Sequence, residues 1–303
     1  MTKTLTSSTS SALRRLTPTV AGRLLASLEK QEAQANPLSL IEDGHLSIKT
    51  AEATLQPLCL NCAQTHVLGV IKACLAKNKP VRLLILKARQ LGVSTLIEAI
   101  VYAYTSQQSN LNSFIIADDI DGSNYLFEMS KLYQEKCPPH LRPVEKRSNE
   151  KKLEFENIHS QILVDTAQNE GAGRKYTFRL VHLSEYAFFK YPKELMLGLS
   201  QAVPSLPGTM IIKETTANSF NFFKEEWDTA VRKENDYIPI FLPWYWEERY
   251  RMSVDGLVIG DPLFGELSKA EAELWTRMKS EDISFPEERL AWRRWCVKNN
   301  CDG

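Results

Sequence analysis

Long hydrophobic runs are missing from this 303-residue sequence. The densest, Leu83-Leu84-Ile85-Leu86, is flanked by Arg82 and Lys87 and has the length of a strand, so no membrane span is expected. Cysteine is scarce, and 6 residues are too few for a secreted disulfide scaffold but suit a reducing compartment. Net charge is absent as well: 37 Lys and Arg balance 37 Asp and Glu, so no global positive field advertises a nucleic-acid partner. Any DNA contact must then come from a local basic face, or from several copies arranged around one ligand. Histidines occur only at 45, 66, 140, 159 and 182, without metal-ligand spacing, and no G-x-S-x-G elbow supports a hydrolase triad. The pairs Cys59/Cys62 and Cys296/Cys301 do not make a zinc knuckle. No internal repeat is visible.

The first 28 residues hold no acid, which imitates a transit peptide, but neither a cleavage pattern nor an amphipathic stripe supports one. A flexible arm over 1–45 is expected instead, with a short helix at Val20–Gln31 on which Ala21, Leu24, Leu25 and Leu28 share a face.

What is present is ordinary globular composition, 43% hydrophobic and 24% charged, enough to bury a substantial core. Strand-length apolar runs at Val81–Leu86, Phe114–Ala117, Phe178–Leu183 and Thr209–Lys213 alternate with helical patterns at His66–Ala76, Thr95–Thr105 and Gly122–Cys137. That alternation predicts an α/β three-layer sandwich around a mostly parallel central sheet. Leu153–Glu156 and Ile162–Asp165 read as two further strands of the sheet or, alternatively, as a hairpin at its edge. After Asn218 charged, Trp-bearing helices at Phe222–Glu234, Lys269–Lys279 and Pro286–Cys301 surround the short run Ile238–Leu242. This predicts a core over 46–230 and a small mainly helical lid or linker subdomain over 231–303.

The stretch from Leu83 to Leu96 runs from strand through a short polar turn into a helix, a place where free backbone N–H groups and the positive helix end meet an anion. The spacing G-x-x-x-x-G-K-[ST], laid on Gly92, puts Lys87 in the first Gly slot, Val93 in the Lys slot and Ser94 in the magnesium hydroxyl slot. A lysine moved to the other side of a tight turn still reaches the β/γ oxygens. The loop Lys87, Ala88, Arg89, Gln90, Leu91, Gly92, Val93, Ser94, Thr95 is therefore a candidate for ATP with Mg2+, with Arg89 as a second cation. The plainer alternative is a strand–turn–helix with a basic turn.

The run Phe178–Leu183 leads into Ser184-Glu185, and a parallel sheet gathers such strand ends on one edge, where Glu185 can polarise an attacking water. The usual acidic pair here is Asp-Glu. Ser184 could hold magnesium only weakly or through water, and Asp118 or Asp119 are candidate replacements for the missing acid. Thr215, Thr216, Ala217 and Asn218 end a third strand, where hydroxyls and an amide can sense the γ-phosphate or simply terminate the strand. Gln64 could read an adenine edge or merely start a helix.

In this order the pieces resemble the ATPase domain of the large terminase subunit, the DNA-packaging motor of tailed bacteriophages. The resemblance rests on the loop from Leu86 to Thr95, on Asn169-Glu170-Gly171-Ala172-Gly173-Arg174, on His182 to Phe188 and on Glu214 to Asn218, and it spans about Leu58 to Asn218. It implies a P-loop NTPase of the ASCE type, with Lys87 as the Walker A lysine, displaced as in some terminases, Ser94 as magnesium ligand and Glu185 as catalytic Walker B glutamate. It also implies coupling by Thr215–Asn218, a Q motif at Gln64 and Arg174 as the finger that completes a neighbour's site. The implied function is ATP hydrolysis that drives double-stranded DNA into a procapsid, in the cytoplasm of the bacterial host and transiently at the portal. The implied partners are further copies of the chain in a ring, the portal and a small terminase subunit, with a slow monomer in isolation. The family's ribonuclease-H-like nuclease domain finds no acidic strand ends after Asn218, so no DNA cleavage is expected from these residues. A helicase-like DNA-dependent ATPase, or a nucleotide-binding assembly module with little hydrolysis, are the alternatives.

Overall fold

The computed structural model describes residues 18–169, 171–173, 175–254, 256–257, 259–261 and 264–300. Its centre is an eight-stranded sheet built from β3 (Val81–Lys87), β4 (Asn112–Ala117), β5 (Glu145–Ser148), β6 (Lys152–Phe155), β7 (Ser160–Thr166), β8 (Leu180–Ser184), β9 (Met210–Thr215) and β10 (Ile238–Leu242). A separate two-stranded ribbon pairs β1 (Ser47–Lys49) with β2 (Leu55–Pro57). The strand order of the main sheet is β10-β3-β9-β8-β4-β7-β6-β5. Pairing is parallel from β10 through β7, and β6 and β5 extend the sheet in antiparallel fashion. The mostly parallel sheet is there, and the two runs read as an edge hairpin do pair antiparallel as β6 and β7, but β5 lies outside them and takes the edge. β5 carries no apolar residue and is wholly exposed, so no periodicity announced it.

Alternation along the strands sends successive side chains to opposite faces. Leu83, Ile85, Ile115, Leu180, Met210 and Ile212 pack with α3 (Cys62–Ala76), α4 (Val93–Gln107) and α5 (Ile120–Lys136). Leu84, Phe114, Ile116, Val181, Leu183 and Ile211 face the other way, toward α6 (Pro192–Ala202) and α7 (Phe222–Val231). Both faces are therefore covered, as a parallel sheet requires.

Two boundaries differ from expectation. The arm over 1–45 includes α1 (Pro18–Ala35), where Val20, Leu24, Leu25 and Leu28 are exposed, but it is not free to its end. Leu38, Leu40 and Ile41 are buried around α2 (Ser39–Glu42) and cover the sheet's helical layer. Residues 1–17 lie outside the described residues. At the other end, Ile238–Leu242 is not the heart of a helical subdomain. It is β10, hydrogen-bonded in parallel along β3, with Pro239 tolerated because the strand is an edge. The small third core begins only afterwards, where Tyr245, Phe264, Met278 and Leu290 bring together α8 (Lys269–Ser280) and α9 (Pro286–Asn300). Among the described residues no helix is long and apolar enough to cross a membrane.

Candidate functional site

Because β3, β9 and β8 are adjacent and parallel, their carboxyl ends meet at one edge. The loop after β3 turns back on itself through two left-handed residues, Gln90 (φ 62) and Gly92 (φ 69). Gly92 is strongly favoured there. A Cβ would stand 2.7 Å from Gln64 Nε2 in addition to the left-handed strain. Gly92 also opens α4, whose first-turn N–H groups face the loop. Val93, which occupies the usual lysine slot, is buried with the core and takes no part in the cleft.

Lys87 comes instead from the end of β3. Its Nζ lies 2.9 Å from Glu214 Oε2 and 3.3 Å from Glu185 Oε1, with the side chain only 8% exposed. Burial would lower the Lys87 pKa, but Glu214 and then Glu185 outweigh it and hold the ammonium above its ordinary value. Lys87, Arg89, Gln90, Asp118, Glu185, Phe188 and Thr216 line a cleft of about 330 Å³.

Glu185 sits directly after β8 in the left-handed region (φ 53, ψ 41), a conformation that costs a non-glycine residue energy and is concentrated at functional sites. Its other oxygen, Oε2, accepts from the Thr216 N–H and the Thr216 hydroxyl, both at 3.1 Å. The turn that follows, Tyr186–Phe188, is held by the same segment. The Ala187 N–H donates to Thr215 Oγ1, and the Ala187 carbonyl accepts from Asn218 and Asn221 side chains at 3.1 and 2.7 Å. Thr215, Thr216 and Asn218 are thus bonded to Glu185 or its neighbours, and Ala217 contributes only the backbone between them.

Gln64 is brought to the loop, but its amide is already engaged. Oε1 accepts from the Asn61 N–H at 3.0 Å in a capping box, and Nε2 donates to the Gly92 carbonyl at 2.7 Å. Asn61 in turn donates to the Leu91 carbonyl. The pair staples the start of α3 to the loop after β3, and 4% exposure leaves Gln64 little surface for a base. Of the two aspartates weighed as replacements, Asp119 is the N-cap of α5, accepting from the Gly122 N–H at 2.7 Å. Asp118 lines the cleft, its pKa raised by burial and by Asp119. Arg174 lies outside the described residues.

The carboxylate that sequence reasoning misses is Glu214. It is fully buried at the end of β9, and register places it beside Ser184 of β8. Its Oε1 accepts from Ser184 at 2.6 Å and from Ser94 at 2.8 Å. Its Oε2 faces Lys87 Nζ as an ion pair without the alignment of a directed hydrogen bond. Behind it stands His182, whose Nε2 lies 3.5 Å from Glu214 Oε1 and whose Nδ1 lies 2.6 Å from Glu98 Oε1 on α4. Burial would depress the imidazole, yet the two flanking carboxylates raise its pKa to about 9. Burial likewise pushes Glu214 up, but Lys87 and His182 more than reverse this and hold it well below the carboxylate range. One sequence signal was available. Glu98 interrupts an otherwise buried helix and His182 a buried strand, and such groups need partners.

The C-terminal segment touches this loop as well. Tyr250 Oη donates to the Arg89 carbonyl at 3.1 Å, and Tyr250 stacks on Trp292 of α9 with ring centroids 4.3 Å apart.

No family model matches the sequence. Among solved structures, the chain is similar to the large terminase of bacteriophage HK97, with a TM-score of 0.55 at 16% identity, covering 85% of this chain and 54% of that one. Weaker likenesses are to the large terminase ATPase domain of Thermus phage P74-26, at a TM-score of 0.43, 17% identity and coverage of 61% and 84%. A further one is to the large terminase of a thermophilic bacteriophage in complex with ADP, at a TM-score of 0.44, 13% identity and coverage of 73% and 50%. The chain spans about half the length of the HK97 protein, and over that span its α/β sheet and helical layers have the fold of a phage large terminase.

Proposed function

We propose that this chain is the ATPase part of a DNA-packaging motor, hydrolysing ATP to drive double-stranded DNA into a procapsid. The observation that carries the reading is the meeting of Lys87, Ser94, Glu185 and Thr216 at one strand edge of this fold. Lys87 would neutralise the β/γ oxygens from the front of the loop, while the N–H groups opening α4 cradle them. Glu185 accepts the proton of an attacking water, its other oxygen being fixed by Thr216. Magnesium, when bound, would shield phosphate charge. The residues that suit it are the Ser94 hydroxyl, already turned toward a buried carboxylate, and Ser184 through water.

In this reading Thr215–Asn218 relay a change at Glu185 to the segments beyond β9, and the part after β10 acts as a lid or linker on the loop through Tyr250. Double-stranded DNA would be held by several copies in a ring, each contributing few contacts, with Arg174 serving a neighbour's site. The portal and a small subunit would be its partners in the host cytoplasm. Ser184 in an acidic slot favours a second reading, a nucleotide-binding assembly module that barely hydrolyses. Phosphate release measured with and without duplex DNA separates the two. Turnover that DNA stimulates and Glu185→Gln abolishes supports the motor. Nucleotide binding without Glu185-dependent turnover supports the module.

A further inference from the structure

Ser184 is neutral and short, so it cannot supply negative charge beside a metal-bound triphosphate. Its hydroxyl is spent on Glu214, and Ser94 donates to the same Glu214 oxygen. Neighbouring strands lie about 4.8 Å apart. An acid moved from β8 to β9 stands one strand closer to β3, and the register that aligns Ser184 with Glu214 keeps it at the same level of the sheet. We infer that Glu214 is the carboxylate that serves the magnesium site through Ser94, displaced by one strand from the place where sequence would put it. It accepts the Ser94 proton and thereby turns the hydroxyl's lone pairs toward the cation.

Two further observations support this. Glu214 Oε2 is fully buried, accepts no directed hydrogen bond, and is covered by Lys87, the ammonium that lines the cleft. A carboxylate so placed would be prohibitively desolvated without cations, and the chain provides them in alternation: Glu98, His182, Glu214 and Lys87 form a row from α4 to the cleft. His182 and Glu98 are accordingly positioning residues for Glu214.

The inference rests on the nucleotide reading of Lys87 and Ser94, and the test separates the two. Binding of a fluorescent ADP is titrated with Mg2+ and, in parallel, in EDTA, for the full chain and for Glu214→Gln. Expected for the variant is a rise of about 10-fold or more in the Mg2+ needed for half-maximal enhancement. Its affinity in EDTA should stay near that of the unaltered chain, because Lys87 is retained. Weakening in both conditions alike, or an unchanged Mg2+ requirement in a variant that still melts cooperatively, would overturn the role of Glu214 while leaving the nucleotide site standing. An unaltered chain that binds no nucleotide would overturn both. If Glu214→Gln does not fold, Glu214→Asp, which keeps the charge beside Lys87 but draws the carboxylate back from Ser94 by one methylene, carries the test. A raised Mg2+ requirement with affinity in EDTA retained supports the inference, and an unchanged requirement in the folded variant refutes it.

Discussion

The end of β9 buries two charges on opposite faces of the sheet, and they are solved differently. Lys213 points toward α7, where Glu226 takes its ammonium with both oxygens at 2.8 and 3.0 Å and the rings of Tyr186 and Tyr237 lie 4.6 and 4.2 Å away. That network is closed: one cation, one carboxylate, aromatic walls. Glu214, the next residue, points toward α4 and belongs to a row that ends in the cleft at Lys87 and Glu185. One charge holds layers together and the other reaches a surface where chemistry can occur. Burial alone does not distinguish them, since both are fully buried; the length and openness of the partner chain does.

The contrast can be broken at its open end first. Glu185→Gln should cut ATP turnover by about 10²–10⁴-fold while leaving nucleotide binding in place, as read by phosphate release against fluorescent-nucleotide titration. Lys87→Met strands the Glu214 charge, and chemical denaturation should register a loss of about 3–5 kcal/mol together with loss of nucleotide affinity. The pH dependence is the next largest effect. His182 faces Glu98 and Glu214, with Ser130 donating to Glu98 and Lys87 beyond Glu214. With its folded pKa raised to about 9 from an ordinary 6.5, the imidazolium's contribution is complete below pH 6.5 and is lost as pH climbs through 9. Melting curves across that window should report a decline on the order of 2 kcal/mol that a His182→Gln variant no longer shows. The closed end gives the smallest change. Lys213→Met should cost only about 1–2 kcal/mol, because Glu226 is partly exposed and can turn to water, and should leave nucleotide binding untouched. Equal damage from Lys213→Met and Lys87→Met in binding assays would erase the distinction.

Much of the open network is legible in the chain, because its members lie where local pattern speaks. Apolar β3 running into a Gly-bearing turn and α4, and apolar β8 ending in Glu185, announce themselves by hydrophobicity and spacing. What escapes depends on register between strands far apart in sequence. The apolar run of the third strand gives out at Lys213, but the strand continues to Thr215 because hydrogen bonding to both β3 and β8 carries it on, and this makes Glu214 a strand residue beside Ser184. β10 escapes for a related reason. A five-residue run with two exposed members gives no sign of whether it joins a sheet already built upstream. Gln64 shows the opposite limit: its position by the loop is legible, but not that its amide is committed to Asn61 and Gly92.

Asn221 has a mechanical consequence. It caps the start of α7, its Oδ1 accepting from the Lys224 N–H, while its Nδ2 grips the carbonyl of Ala187 two residues past Glu185. Because one rigid amide serves both, the turn behind the glutamate and the first turn of that helix behave as a crank and its rod. The Tyr186 ring, edge-on to Phe222 with centroids 6.5 Å apart, joins the same two segments, so a rotation of the turn is passed to the helix start through packed rings as well as through that amide.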